Sequence, residues 1–273
     1  MDPSTESLMH MPNAFRYWSE IPLYMKILAV NALPIAYVTA ELVDGYNNWH
    51  ALGQGGLPHN FLGYLINLVI TVVFAKRDTK GTECYRKPER YAMGWGEAGK
   101  EERERVTKGW GLGKVGRRGG EAGEAKWYVA PQREHYARRG VDPQLKTAYF
   151  DGFTQLADKH TDSLAWSTSV LERHGQALFL KESYSIPTLI AKCKREVAHI
   201  HESDLSAHVL LSFADAKRVI EEGWGERHRL TGTRFLPLGY TMLYAPRDKG
   251  EVEVLLGILE AGMRYAESNG KAS

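Results

Sequence analysis

Histidines form the pattern in this chain that most directly suggests chemistry. His199 and His201 are two positions apart in a strand-like segment, so their side chains point to the same face of a sheet. His208 lies in the next strand-like segment and would join them if the two segments pair as a hairpin. Three convergent imidazoles leave three interpretations open: acid–base groups that touch a substrate, a zinc or iron site with an open position, or a structural set beside a turn.

Other polar and aromatic residues near this pattern could support the same chemistry. Asp204 lies in the turn between the two segments, where it could orient an imidazole or remain a solvated carboxylate. Glu226 and His228 could supply a second proton-transfer group, and Trp224 could form the wall of an apolar pocket. The alternative for this second group is a packing tryptophan beside surface charges.

Tyr244 and Arg247 end the last strand-like segment of the chain. Arg247 could clamp a carboxylate or an oxyanion, or it could tie down the start of the following helix. Two glycine-rich fragments imitate nucleotide-binding loops, but Glu101 stands where a phosphate loop requires Ser or Thr. No Gly-x-Ser-x-Gly motif is present. We therefore expect no nucleotide cofactor and no covalent hydrolysis at a serine.

The spacing of apolar residues predicts the elements that position these side chains. The predicted helices are Leu145–His160, Leu164–His174, Phe213–Glu222 and a long C-terminal helix that Asp248 caps. The predicted strands are Ala177–Lys181, Glu196–His201, Ala207–Ser212 and Gly239–Ala245. This order predicts an α+β domain over residues 144–273, in which a small antiparallel sheet has helices packed on one face.

The N-terminal region is apolar and carries little positive charge. Ile21–Val43 is long enough to cross a bilayer, whereas Phe61–Ala75 would span only about 23 Å. Neither run shows a polar face, so we predict a membrane anchor of one or two helices over residues 1–80, with the lipid bilayer as a partner. Buried helices of a soluble protein are the alternative. The first twenty residues lack the basic start and cleavage site of a removed signal peptide.

Positive charge is concentrated directly after the apolar region. Residues 76–148 carry 18 Lys and Arg against 11 Asp and Glu, whereas residues 1–75 carry 2 against 5. The positive-inside tendency then places the main domain in the cytosol, at the endoplasmic reticulum or another endomembrane. We predict a basic, glycine-rich linker or lid over residues 81–143. Acidic residues are interspersed and no recognition motif is present, so we expect no nucleic-acid partner.

Several of these motifs occur together and in order in a known family. The shared motifs are His199 with His201, His208, Gly223–His228 and Tyr244–Arg247. Over about residues 165–267 the sequence resembles the luciferase-domain family of bacterial and fungal proteins. Gly53–Leu65 is similar to fungal members that add a membrane anchor. The resemblance implies a role in specialised-metabolite biosynthesis with a lipophilic terpenoid or polyketide substrate, and the family name does not by itself establish light emission.

From the resemblance and the residues together we expect a cofactor-independent cyclase or isomerase, Diels–Alder cycloaddition included. The expected catalytic residues are His199, His201, His208, Arg247, Glu226 and His228. The expected substrate contacts are Trp224, Tyr244 and Asp204. One alternative is an oxidative or hydrolytic enzyme with zinc or iron on His199, His201 and His208. Another is a non-catalytic, membrane-bound protein that binds lipid or another enzyme.

Overall fold

The computed structural model of this protein describes residues 20–120, 123–133 and 142–271, together with Trp18. Most of the first twenty residues, where no signal peptide was predicted, and residues 134–141 of the predicted linker lie outside the described residues. The chain divides into two compact units, one that ends at Ala51 and one that begins at Leu52.

The first unit contains one long apolar helix, α1 (Leu23–His50). Its 28 residues would extend over about 42 Å, and it is long and apolar enough to cross a membrane. Two of its polar side chains are satisfied within the helix, because Asn31 and Thr39 donate to carbonyls one turn earlier. The helix extends the predicted span Ile21–Val43 by seven residues at its C-terminal end.

The second apolar run forms helix α2 (Phe61–Phe74), which belongs to the larger unit. The sequence analysis expected no polar face on this run, and that expectation is wrong. Tyr64, Asn67 and Thr71 are buried against the rest of the unit, whereas several large apolar side chains on α2 are exposed. The sequence pattern did not reveal this face, because only three of the fourteen residues of α2 form it and their burial depends on the rest of the domain.

The basic middle region contains three short helices, α3 (Glu83–Arg86), α4 (Pro88–Tyr91) and α5 (Lys100–Thr107). In its described part this region, predicted as a linker or lid, is packed onto the main domain. Trp95 stacks on Phe213 with ring centroids 6.3 Å apart, and the carboxylate of Asp215 accepts the backbone N–H of Trp110 at 2.8 Å.

The remaining elements form the α+β domain that the sequence predicted. In chain order they are α6 (Pro143–Lys159), β1 (Leu164–Thr168), β2 (Gln176–Leu180), β3 (Glu196–Ile200), β4 (Ala207–Leu210), α7 (Phe213–Glu221), β5 (Gly225–Arg227), β6 (Tyr240–Leu243) and α8 (Lys249–Glu267). The six strands form one antiparallel sheet in the order β1-β2-β3-β4-β6-β5. Helices α6 and α8 pack together, and α8 packs on β3 and β4. The fold class is therefore confirmed.

Two elements differ from the predictions. Leu164–His174 was predicted as a helix, but it forms β1 and a turn. Strand β1 is an exposed edge strand, so its sequence lacks a clear alternation of buried and exposed residues. Its backbone instead pairs with β2 along all five residues. Strand β5 was not predicted, because three residues are too few to show a period of two.

Helix α8 lies close to the sheet, so substitutions of its glycines test the packing between them. A Cβ on Gly262 would lie 2.5 Å from Val209 Cγ2 and 2.8 Å from Leu210 O, so we expect Gly262→Ala to lower the free energy of unfolding by about 1–3 kcal/mol. Gly257 is on the same helix, with no described atom within 4 Å of its added Cβ. Gly257→Ala should raise stability by up to about 1 kcal/mol. Urea unfolding measures both, and equal stability of the two variants would contradict the packing.

Candidate active site

Four histidines form a continuous row on one face of the sheet. The strand register pairs His199 on β3 directly with His208 on β4, and directly paired residues share a face. His201 lies two positions beyond His199, and His228 follows β5. Successive ring centroids along the row His199, His201, His208 and His228 are 5.1, 4.6 and 5.3 Å apart.

The histidine row faces away from helix α8. Val209, the neighbour of His208 on β4, contacts α8 at Gly262, and adjacent strand residues point to opposite faces. Loops cover the row instead, and all four imidazoles are at most 6% exposed. Because buried polar groups must find partners, the surroundings of each ring fix where its protons lie.

A buried ion pair lies at one end of the row. Arg133 binds both carboxylate oxygens of Glu172, at 2.5 and 2.8 Å, and both residues are buried. Glu172 Oε2 is 3.3 Å from His199 Nε2, and Oε1 is 3.3 Å from His201 Nε2. Burial alone would raise the pKa of Glu172, but the charges of His201 and Arg133 outweigh it and hold that pKa well below its usual range.

The turn after β1 carries Glu172, and Glu196 at the start of β3 positions that turn. The Glu196 carboxylate accepts the Ser169 hydroxyl at 3.0 Å and the backbone N–H of Val170 at 3.0 Å. The Ser169 hydroxyl oxygen in turn accepts the backbone N–H of Glu172 at 3.0 Å. Burial raises the pKa of Glu196 despite these hydrogen bonds and the nearby His199.

His199 is a donor at both ring nitrogens. Its Nδ1 lies 2.9 Å from the carbonyl oxygen of Gln176 and its Nε2 lies 3.3 Å from the Glu172 carboxylate, and both of these partners are acceptors. Burial disfavours the charged ring, but the hydrogen bond and the negative charge of Glu172 outweigh burial and raise the pKa of His199. This geometry favours an imidazolium.

His201 is oriented by Asp204 through a serine. The Ser206 hydroxyl donates to Asp204 at 2.8 Å, so the same oxygen accepts His201 Nδ1–H at 2.8 Å. His201 Nε2 then faces Glu172 without the alignment of a hydrogen bond, and it has no hydrogen-bond partner among the described residues. Asp204 therefore occupies the orienting position that the sequence analysis considered for it.

The other end of the row is neutral. His228 Nδ1 accepts the backbone N–H of Leu230 at 3.2 Å, and burial lowers the pKa of His228 to about 3. Burial, and then the neighbouring imidazoles of His201 and His228, lower the pKa of His208 well below its ordinary value. The ring of His208 stacks on Tyr240 at 5.2 Å, and its buried Nδ1 has no hydrogen-bond partner in the described part of the chain.

Two cavities meet at the histidine row. Cavity A, about 650 Å³, lies beside the charged end and is lined in part by Glu172, His199, His201, Phe153 and Trp166. Cavity B, about 520 Å³, lies beside the neutral end and is lined in part by His208, His228, Tyr240, Val129, Leu230 and Leu236. Glu172 lines both cavities. Cavity B combines an apolar wall with charged side chains, because Arg173, Lys192, Lys194 and Arg234 also line it.

Glu226 and Tyr244 bond to each other beside the row. The Tyr244 hydroxyl donates to Glu226 at 2.9 Å, and the Gln132 side-chain amide donates to the same carboxylate at 3.3 Å. Both residues face the same side of the sheet as His208, with Met242 between His208 and Glu226 in the strand register. Neither lines cavity A or cavity B among the described residues.

Arg247 and Trp224 lie in a separate cluster at the start of α8. Glu251 accepts hydrogen bonds from the guanidinium groups of Arg118 and Arg247, and Trp224 lies under Arg118 with its indole N–H bonded to the carbonyl oxygen of Gly116. Burial opposes ionisation of Glu251, but the two arginines lower its pKa to about 2. The structure thus shows Arg247 tying down a helix start and does not bring it to the histidines.

Three side chains at the charged end could hold a metal ion. The donor atoms of Glu172, His199 and His201 lie within 4.8 Å of one another, a set that differs from the predicted one in having Glu172 in place of His208. Two histidines and a carboxylate suit non-haem iron or zinc. Both oxygens of Glu172 already bind Arg133, whose positive charge would repel a dication.

Sequence reasoning missed Glu172, Arg133, Glu196 and Tyr240. Glu172 lay in a stretch predicted as a helix, and Arg133 lay in the predicted linker. The sequence carries only a weak signal for these residues. A charged residue that becomes buried, such as Glu172 or Arg133, needs a buried partner, but the sequence does not show which charged residues are buried.

Comparison with known proteins gives one family. The Luciferase domain family model matches residues 194–262. The chain is 30% identical over 234 residues to a protein named Luciferase from Neonothopanus nambi, with 81% of this chain and 79% of the relative aligned. Proteins of the same name from Armillaria gallica and Armillaria mellea are 36% and 34% identical over 39% and 47% of this chain, and the alignments span 44% and 54% of those relatives. No solved structure matches the chain.

The neutral end of the row predicts a pH dependence of stability. His228 has a pKa of about 3 in the folded chain and about 6.5 when unfolded, so between these values only the unfolded chain binds the proton. Stability must fall as the pH falls through this window, by about 1.4 kcal/mol per pH unit for this residue. Urea unfolding at several pH values should show that His228→Gln lowers the slope by this amount, while the contribution of His208, whose pKa is also lowered, remains.

A matched control is Leu236→Val, which changes the same cavity wall without changing a titrating group. It should lower stability by a similar amount at every pH in the window. An unchanged slope in His228→Gln would show that His228 is not held neutral.

Proposed function

This chain belongs to the luciferase-domain family, as its motifs predicted, and from that premise we propose that it is a membrane-associated enzyme of specialised-metabolite biosynthesis. It cyclises or isomerises a lipophilic terpenoid or polyketide intermediate in cavity B without a redox cofactor. The observation that carries this proposal is the buried imidazole of His208, which has no described partner at Nδ1 and lines cavity B beside Val129, Leu230 and Leu236. An apolar wall with a basic imidazole is the minimum that such chemistry requires.

His208 is the proposed proton carrier. The lowered pKa keeps the His208 imidazole neutral near pH 7. It also makes the imidazole a weak base, which suits acidic substrate protons, such as those of enols or of a carbon between two carbonyl groups. The His208 imidazole takes the proton, the electron pair of the broken bond enters the conjugated system of the substrate, and the proton returns to a different atom. Isomerisation or ring closure by this route consumes no co-reactant.

Tyr240 and the charged end of the row support this transfer. Burial, and then the nearby Glu196 and Glu172, raise the pKa of Tyr240 well above its ordinary value, so its hydroxyl remains a donor toward cavity B. The imidazolium of His199 and the guanidinium of Arg133 provide positive charge near Glu172, which lines the same cavity. Fixed charge of this kind stabilises an anion that forms on the substrate.

The test starts from the metabolite that accumulates when the protein is deleted from its host. The purified full chain should convert this metabolite, and His208→Gln should lower kcat by at least about 100-fold, because glutamine fills the space but cannot carry the proton. His160→Gln is the matched control. His160 pairs with Glu267 away from both cavities, so that variant should retain activity.

Full activity of His208→Gln would overturn the role of His208. If His199→Ala, His201→Ala and His208→Ala all leave the metabolite profile unchanged at equal protein level, the chain is a non-catalytic partner that binds lipid or another enzyme, and the proposed enzyme is wrong.

A metal-dependent enzyme, oxidative or hydrolytic, is the second candidate, and the Glu172, His199 and His201 donor set favours it. The relatives are named for light emission, which is oxidative chemistry and falls within this candidate. We expect the purified protein to contain substoichiometric zinc and iron and to keep its activity after dialysis against a chelator. Stoichiometric metal, with activity lost on chelation and restored by that metal, would replace the first proposal with the second.

A further inference from the structure

Helix α2 has the reverse of the usual arrangement of polar and apolar faces. Gly63, Asn67 and Thr71 recur every four residues and form a stripe that is buried in the domain. On the opposite side Leu62, Val69, Val72 and Val73 are each more than 60% exposed. A helix on a water-soluble surface buries its valines and exposes its asparagine.

The inward side of α2 is held by specific bonds. Asn67 Oδ1 accepts the backbone N–H groups of Val129 and Ala130 at 3.3 and 3.0 Å. Asn60 caps the start of the helix by accepting the N–H of Gly63 at 3.1 Å. At the other end the ring of Phe74 packs edge-on against Phe235 at 5.2 Å. Rotation of α2 to bury its valines would break the contacts of Asn67 and Phe74 with the rest of the domain, so the outward apolar face is built into the fold.

The length and charge of α2 indicate what covers this face. Fourteen residues extend over about 21 Å, which is shorter than the hydrocarbon core of a bilayer, so the helix suits a position along the interface rather than across it. Lys76 and Arg77 follow the helix and are exposed, and the guanidinium of Arg234 lies 4.9 Å from the centre of the Phe74 ring. Cations at the edge of an apolar surface suit lipid headgroups.

We propose that α2 lies in the interface of a bilayer with Leu62, Val69, Val72 and Val73 in the hydrocarbon. The occupant of this face is lipid, because the helix has the length of an interfacial segment and cations border its apolar side, as headgroups require.

Cavity B lies next to the inward side of α2. Ile70 and Phe74 of α2 pack against a small cluster of buried residues, Val129, Leu230, Leu236 and Tyr240. All four residues of that cluster also line cavity B. If cavity B is the substrate site, as proposed above, an apolar substrate reaches it from the bilayer side of the domain. This second part rests on the proposed function, whereas the position of α2 does not.

The position of α2 can be measured without any substrate. A nitrobenzoxadiazole fluorophore is attached to Val69→Cys in the full chain, reconstituted in vesicles of phosphatidylcholine with a minor fraction of phosphatidylserine. Cys84 and Cys193 are buried, and the labelled wild type gives their background. Ser167→Cys, on the exposed edge strand β1, is the matched control.

The probe on Val69→Cys should emit at shorter wavelength than the probe on Ser167→Cys, and spin-labelled lipid in the bilayer should quench it severalfold more. Water-like, unquenched emission from Val69→Cys would overturn the proposal. Blue-shifted emission that spin-labelled lipid does not quench would also overturn it, because protein rather than lipid would then cover the helix. Either result leaves the chemistry at His208 untouched.

Discussion

The ion pair between Arg133 and Glu172 is the interaction on which the candidate site depends. Removing two charges from water costs several kcal/mol per ion, and their attraction offsets this only when the remaining hydrogen-bonding groups are also satisfied. Here the guanidinium also reaches the carbonyl oxygen of Gln54 and the hydroxyl of Ser203. One buried cation thus joins the segment after α1, the segment before α6, the turn after β1 and the turn after β3. Loss of Arg133 would leave the buried Glu172 carboxylate with only the neighbouring histidines to compensate its charge.

This pair also makes four identical residues chemically different. The imidazole nearest to Glu172 gains a negative neighbour and favours its charged form, so the pKa of His199 is raised. At the far end, His208 and His228 have burial and positive neighbours but no adjacent carboxylate, so their pKa values fall. Divergent pKa values within one cluster are what acid–base chemistry near neutral pH requires. The row therefore has a proton-donating end and a proton-accepting end, and a cavity lies beside each.

The sequence could predict the parts of this site that follow from local periodicity. A spacing of two places His199 and His201 on one face, and the hairpin brings His208 beside them, because side-chain direction in a strand depends only on neighbouring residues. Glu172 and Arg133 are 39 positions apart, and their pairing depends on how distant segments pack. No period or motif reports such a contact. Arg247 shows the same limit. Its position in the sequence is compatible with an anion clamp and with a contact at the helix start, and only the hydrogen bonds that Glu251 accepts from Arg247 and Arg118 decide between them.

Helix α2 shows that composition alone does not determine the surroundings of an apolar helix. A run of fifteen largely apolar residues is compatible with a membrane span, a buried helix or an interfacial helix, because mean hydropathy does not distinguish them. The deciding signal is the direction of Asn67 and Thr71, which are buried in the domain and of which Asn67 accepts two backbone N–H groups through Oδ1. Each face of a helix is stable against surroundings of matching polarity. The polar side of α2 faces protein and its valine side faces outward, which is the arrangement that the interfacial position proposed above requires.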